Sequence, residues 1–220
     1  MSYAPLQNIR EPRSPWPVAS PAVRNGEDGT EYHREGHVMS KILFVVGSKH
    51  RNGFNQQLAD EARKLIGDRA EVSFLDFSAV PFFDQDQEFP APASVNEVRK
   101  AVVLADGVWF FSPEYNYSYT GYLKNLLDWL SRPLEPFPAA SSSVLAGKKV
   151  AISAVAGPRS AGAGSLAKLA EVLSYQSELL PEQTGVGLAP EAFGTGDLGL
   201  SDEDRAKLSA EADAFLKFIA

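Results

Sequence analysis

Apolar runs of strand length alternate with stretches of helical periodicity from Lys41 to the end of the chain. Ile42 to Val46 is continuously apolar and predicts a first strand buried on both faces. Phe54, Leu58, Ala62 and Leu65 then mark one face of a helix, and Glu71 to Leu75 reads as a weaker second strand. Ser94 with Glu97 fits a capping box, from which Val95, Val98, Val102 and Ala105 continue at helical spacing. Val108 to Phe111 predicts a third strand, followed by a helix with Leu123, Leu126, Leu127 and Leu130 on one stripe. Lys148 to Val155 predicts the fourth strand. Leu166, Leu169 and Leu173 mark the helix after it, and a short fifth strand falls between Ser177 and Leu188. The last helix starts at a Ser201 cap and buries Leu208, Ala212, Phe215, Leu216 and Ile219.

Strands and helices alternating in this way predict a parallel sheet covered on both faces. Five of each suit a flavodoxin-like α/β fold, a doubly wound five-stranded sheet of order 2-1-3-4-5 with helices on both faces. Residues 1–39 break the pattern. They hold Pro5, Pro12, Pro15, Pro17 and Pro21 among mixed charges with no apolar period, and read as a flexible tail before one domain over residues 40–220. Met39 immediately precedes the first strand and is a candidate natural start.

Charge and cysteine usage narrow the function. With 21 Lys and Arg against 28 Asp and Glu, the net charge of −7 and the lack of any basic block argue against nucleic acid or an anionic membrane surface as partner. The chain has no cysteine, which excludes disulfides, thiolate metal sites and thiol redox chemistry and fits a cytoplasmic setting. Redox chemistry would therefore need a bound cofactor. No zinc spacing and no Ser-His-Asp order is present, so no metal site and no hydrolytic triad is expected. Gly194 to Gly199 matches G-x-G-x-x-G, but no returning strand can follow it to complete a dinucleotide-binding unit, so it reads as a loop.

Three loops at the predicted strand ends carry the candidate chemistry, where open α/β sheets bind their ligands. The first, Gly47-Ser48-Lys49-His50-Arg51-Asn52-Gly53-Phe54-Asn55, joins a strand to a helix and can cradle a phosphate, because free N–H groups and the helix dipole both favour an anion there. It is not a Walker A loop, since no Gly-Lys-Ser/Thr follows. In the second, Pro113-Glu114-Tyr115-Asn116, proline stiffens the chain and Asn tolerates turn geometry, giving a surface against which a flat heterocycle could lie. The third, Ala156 to Gly162, offers Gly157 for close backbone approach, although Pro158 removes a donor. The aromatics Tyr117, Tyr119, Tyr122 and Trp129 read as packing or subunit-interface residues, and Lys124 and Arg159 as solvated.

The run SPEYNYSYTGYLKNLLDW, Ser112 to Trp129, together with GSKHRNGFN, Gly47 to Asn55, resembles the NADPH-dependent FMN reductase family, whose members include quinone, azo-dye and chromate reductases. The resemblance implies that Ser48, His50, Arg51, Gly53 and Asn55 hold the FMN phosphate, and that Pro113, Glu114, Tyr115, Asn116 and Gly157 line the flavin. His50 stands where Arg is common in the family and Gly53 where Ser is common, leaving more of the binding to backbone N–H groups. Thr120 stands where proline is frequent, which is expected to loosen the turn. The implied activity is a ping-pong transfer of hydride from NADPH or NADH through FMN to a small acceptor such as a quinone. No side chain is needed as acid or base, since the flavin carries the chemistry. A homodimer or homotetramer is also implied. Two rival readings are a flavodoxin-type electron carrier with a protein partner and a flavin-free interaction protein on the same fold. Removing residues 1–38 should leave the thermal transition and flavin content unchanged, and a loss of either would show that this segment belongs to the domain.

Overall fold

The computed structural model describes residues 39–136 and 143–220, and the predicted tail over residues 1–38 lies outside the described residues. The parallel sheet is built from β1 (Lys41–Val46), β2 (Glu71–Phe74), β3 (Gly107–Pro113) and β4 (Lys149–Ala156), with β5 (Glu178–Leu179) and β6 (Thr184–Gly187) both paired to β4. Its order is β2-β1-β3-β4 followed by the divided edge strand, the predicted 2-1-3-4-5 arrangement. The fifth strand is split: the first piece ends after Leu180 N–H meets Val150 O, and the chain re-enters the sheet at Thr184.

Two cores cover the sheet. On one face, α1 (Phe54–Ile66) and α6 (Asp202–Ile219) pack over the mutually contacting rings of Phe44, Trp109 and Phe111, of which Trp109 meets Phe215 of α6. Gly107 permits this approach, since a Cβ there would lie 2.6 Å from the Phe215 ring. On the other face, α2 (Ala93–Leu104), α3 (Gly121–Leu130) and α4 (Ala163–Ser174) cover Leu43, Val45, Val108, Phe110 and Ile152. A short helix, α5 (Ala192–Thr195), occupies part of the segment that reads as a plain loop. Among the described residues no helix is long and apolar enough to cross a membrane.

Local signals fared unevenly. Ser201 caps α6 as predicted, its Oγ accepting from Asp204 N–H. The capping box at Ser94 does not form. The N-cap of α2 is Pro92, whose carbonyl takes the Val95 and Asn96 N–H groups, so Ser94 lies inside the first turn. Trp129 is fully buried and its indole N–H donates to Pro81 O at 2.9 Å, making it a core residue rather than an interface one.

One buried polar chain interrupts the first core. The Trp109 indole N–H donates to Ser153 Oγ at 2.9 Å, so the single Ser153 proton is given to Glu211 Oε2, also at 2.9 Å. Glu211 Oε1 has no hydrogen-bond partner. Burial pushes the Glu211 carboxyl up to about 8, with Glu182 adding in the same direction and contacts from Thr184 and Ser153 opposing it. Between the ordinary carboxylate range and pH 8, the folded chain thus keeps a proton that the unfolded chain has released. That contribution to stability is complete below about pH 4 and is lost as pH rises through 8. Glu211→Gln should flatten the decline in unfolding free energy between pH 5 and 9, by on the order of a few kcal/mol. Parallel wild-type and variant profiles in denaturant titrations would show that the carboxyl is already ionised in the fold.

Candidate functional site

The loops after β1, β3 and β4 meet at the carboxyl ends of the strands, at the switch point where the chain leaves β1 for opposite sides of the sheet. They enclose a cavity of about 330 Å³ lined by Ser48, His50, Gly53, Asn55, Pro113, Glu114, Tyr115 and Gly157, with Phe54, Leu188 and Phe193 completing the wall. The volume is that of a small-molecule site. Arg51 and Asn116, also expected in the site, are exposed and lie outside this lining. A larger cleft of about 670 Å³ lies between α3 and α4, but takes nothing from the loop after β1.

The first loop is shaped around the start of α1. Gly53 is the N-cap and brings no capping side chain, and no acidic residue stands in the first turn. The Phe54, Asn55 and Gln56 N–H groups have no intrahelical acceptor, and the helix dipole adds partial positive charge at the same point. Ser48 Oγ accepts from His50 N–H at 3.2 Å, leaving its own proton to donate. Gly53 N–H bonds back to His50 O at 3.0 Å, and a Cβ on Gly53 would come within 3.2 Å of the His50 ring. Glycine at 53 therefore goes with histidine at 50.

Asn55 has a different role from a side-chain phosphate ligand. Its buried amide donates to Val155 O at 3.2 Å and accepts from Val155 N–H at 2.9 Å, fastening the start of α1 to the end of β4. Only the Asn55 backbone N–H remains for an anion.

The second loop is stiffer than its sequence suggests. Tyr115 and Ser118 exchange backbone hydrogen bonds across a tight turn, with Asn116 and Tyr117 both left-handed at φ 52 and 60. Glu114 Oε2 accepts from the Gly164 and Ser165 N–H groups at 2.8 and 3.3 Å, so its carboxylate caps α4. Thr120, expected to loosen the turn, does the opposite. Its buried hydroxyl donates to Gly47 O at 2.7 Å and accepts from Leu123 N–H at 3.1 Å, capping α3 and tying it to the first loop. In the third loop a Cβ on Gly157 would meet nothing within 4 Å, so its face is open to the cavity it lines. Arg159 is exposed.

Phosphate-sized anion space at an uncapped helix N-terminus, continuous with a slot between a stiff turn and an open glycine, fits a flat cofactor with a phosphate tail. The sequence comparison agrees with this chemistry, because the model of NADPH-dependent FMN reductases matches residues 40–190. The chain belongs to that family. It is 40% identical over 93 residues to a 2-hydroxy-1,4-benzoquinone reductase of Burkholderia sp, covering 42% of this chain and 51% of that protein. To a quinone reductase of Escherichia coli K12 it is 39% identical over 108 residues, 48% of this chain and 57% of that one. These alignments span about half the length of the curated relatives. The solved structure of FerB, a flavoenzyme NAD(P)H:(acceptor) oxidoreductase from Paracoccus denitrificans, superimposes with a TM-score of 0.69 at 28% identity, over 82% of this chain and 97% of that one.

Membership of the family accounts for the loops at β1, β3 and β4. It does not reach the wall made by Phe193, which lies beyond residue 190. Periodicity gave no sign of that wall, nor of Asn55, Glu114 and Thr120 as ties between loops. Thr120→Val should cost about 1–2 kcal/mol in denaturant unfolding, from the lost cap and the unpaired Gly47 carbonyl, while Thr120→Ser stays near wild type. Equal stability of Thr120→Val and wild type would contradict the tie.

Proposed function

We propose that this chain is an FMN-dependent oxidoreductase that uses NADPH or NADH to reduce a small acceptor such as a quinone. The observation that carries the reading is the uncapped start of α1, open beside the Ser48 hydroxyl and continuous with the slot at Pro113 and Gly157. Ser48 and the N–H groups of Phe54 to Gln56 hold the phosphate of FMN. The stiff Pro113 to Asn116 turn and the open backbone of Gly157 bracket the ring. Glu114 acts indirectly, since its carboxylate is engaged at α4.

When bound, FMN supplies hydride acceptance from the nicotinamide and delivery of two electrons to the acceptor. For a quinone the balance is one hydride from NAD(P)H and one proton from water, giving hydroquinone and NAD(P)+. No side chain at the cavity is required to move that proton. The protein groups orient, and the Pro113–Ala156 strand ends exclude water from one side of the slot by being buried. Donor and acceptor reaching the flavin through this one cavity would use it in turn, hence ping-pong turnover. The names of the quinone reductase relatives support the acceptor class. Tyr119 and Tyr175 on the cleft between α3 and α4 supply aromatic surface for a homodimer or homotetramer. We place its action in the cytoplasm, where both nicotinamide donors are at hand.

The purified chain should bind about one FMN per chain, and anaerobic NAD(P)H alone should bleach the flavin absorbance before any acceptor is added. A protein that takes up no FMN would refute the cofactor, and a flavin that NAD(P)H leaves oxidised would point to a carrier reduced by a protein. Ser48→Ala should weaken FMN binding roughly tenfold to a hundredfold, the worth of a charge-assisted hydrogen bond. Unchanged affinity in a fluorescence titration would remove Ser48 from the cradle.

A further inference from the structure

Phe193 leaves 66% of its surface exposed on α5, yet it lines the cavity and meets the Phe54 ring edge to face, with centroids 6.3 Å apart. An aromatic ring on the rim of a cavity gains burial when the cavity fills. The helix that bears it is only four residues long and could not hold a position unaided. Two features fix it. Ala192 is buried in the core on the α1 and α6 face, and the turn after α5 is fastened to α1 by one side chain. Gln57 Nε2 donates to Gly196 O at 2.7 Å and to Asn52 O at 3.0 Å, while its Oε1 accepts from Leu198 N–H at 2.8 Å. Two of these bonds reach the segment after α5, and the third holds the loop that precedes α1. Gln57 is thereby a strut between the first turn of α1, with its open N–H groups, and the segment that carries Phe193.

We propose that residues 189–200 form a fixed outer wall of the cofactor cavity, in which Phe193 is an apolar cover for bound FMN and Gln57 is the positioning residue that sets this cover against the phosphate cradle. The proposal rests on the flavin reading above. It extends the site past the segment the family match covers and gives the G-x-G-x-x-G stretch from Gly194 to Gly199 a structural purpose. Its Gly196 carbonyl and Leu198 N–H are the groups that the Gln57 amide holds. The same wall makes retention of the cofactor depend on an element outside the three strand-end loops.

The test follows FMN release from the full chain. Diluted holoprotein regains free-flavin fluorescence at the release rate, and iodide quenching of the bound flavin reports its exposure to solvent. Phe193→Ala should speed release roughly five- to tenfold and raise iodide quenching, while Phe193→Leu restores most of both. Gln57→Leu leaves the ring in place but removes its strut, and should reproduce the Phe193→Ala effect with far-UV circular dichroism unchanged. Wild type that retains FMN while Phe193→Ala releases it at the same rate would overturn the wall and leave the flavin reading standing. Faster release in Phe193→Ala but not in Gln57→Leu would overturn the positioning role of Gln57. Wild type that never takes up FMN would overturn both the wall and the reading beneath it.

Discussion

The geometry of the cavity depends on Asn55 bonding both the N–H and the C=O of Val155. A parallel sheet sets strand ends side by side but leaves the loops that exit them free to diverge. Here each exit is tied to another element. Asn55 joins α1 to β4, Thr120 joins α3 to the loop after β1, and Glu114 joins the loop after β3 to α4. Each tie is worth only about 0.5–1.5 kcal/mol net, or more where a charge takes part, but removing one leaves a backbone group without its partner at a further cost of about 1–3 kcal/mol. The loops are thus held as a set.

The same ties decide where an anion can sit. Three helix N-termini open near the strand ends, and each offers unpaired N–H groups and positive dipole charge. The start of α4 is answered by the Glu114 carboxylate, and that of α3 by the Thr120 hydroxyl. Only the start of α1, among these three, has neither a capping side chain nor an acid in its first turn. In a chain of net charge −7, that leaves a local positive field at one defined point. The phosphate assignment follows from this contrast as much as from the loop motif.

Periodicity disclosed the sheet and its helices because strands β1, β3 and β4 are continuous apolar runs and the helices carry regular stripes. It failed where a polar side chain serves a distant partner. Asn55 and Val155 are 100 positions apart, and Gln57 and Gly196 are 139 apart, so neither pair leaves a local pattern. Ser94 failed for the converse reason. The local signal was overruled by Pro92, whose fixed φ and extended ψ let its carbonyl begin the helix two residues earlier. The candidate site was legible as three loops, but not the division of labour within them. Glu114 and Asn55 line the cavity, yet their side chains are spent on the scaffold, so a motif that marks their positions does not reveal what they bind.

The coupling of His50 with Gly53 shows how a departure from a family pattern can be internally consistent. The turn from His50 to Gly53 closes with a 3.0 Å backbone hydrogen bond, which folds the His50 ring over the position a side chain at 53 would occupy. A serine at 53 would crowd His50 Cβ and Nδ1 at 3.2 Å. A hydroxyl-bearing side chain at 53 would require His50 to give by a few tenths of an ångström. With glycine there, the Gly53 N–H is spent within the turn, and the groups left to meet an anion are the Ser48 hydroxyl and the N–H groups that follow in α1. Backbone donors held by a closed turn lose little entropy when they engage a ligand. With glycine at 53, the position of α1, set by Asn55 and Gln57, determines where the free N–H groups of its first turn point.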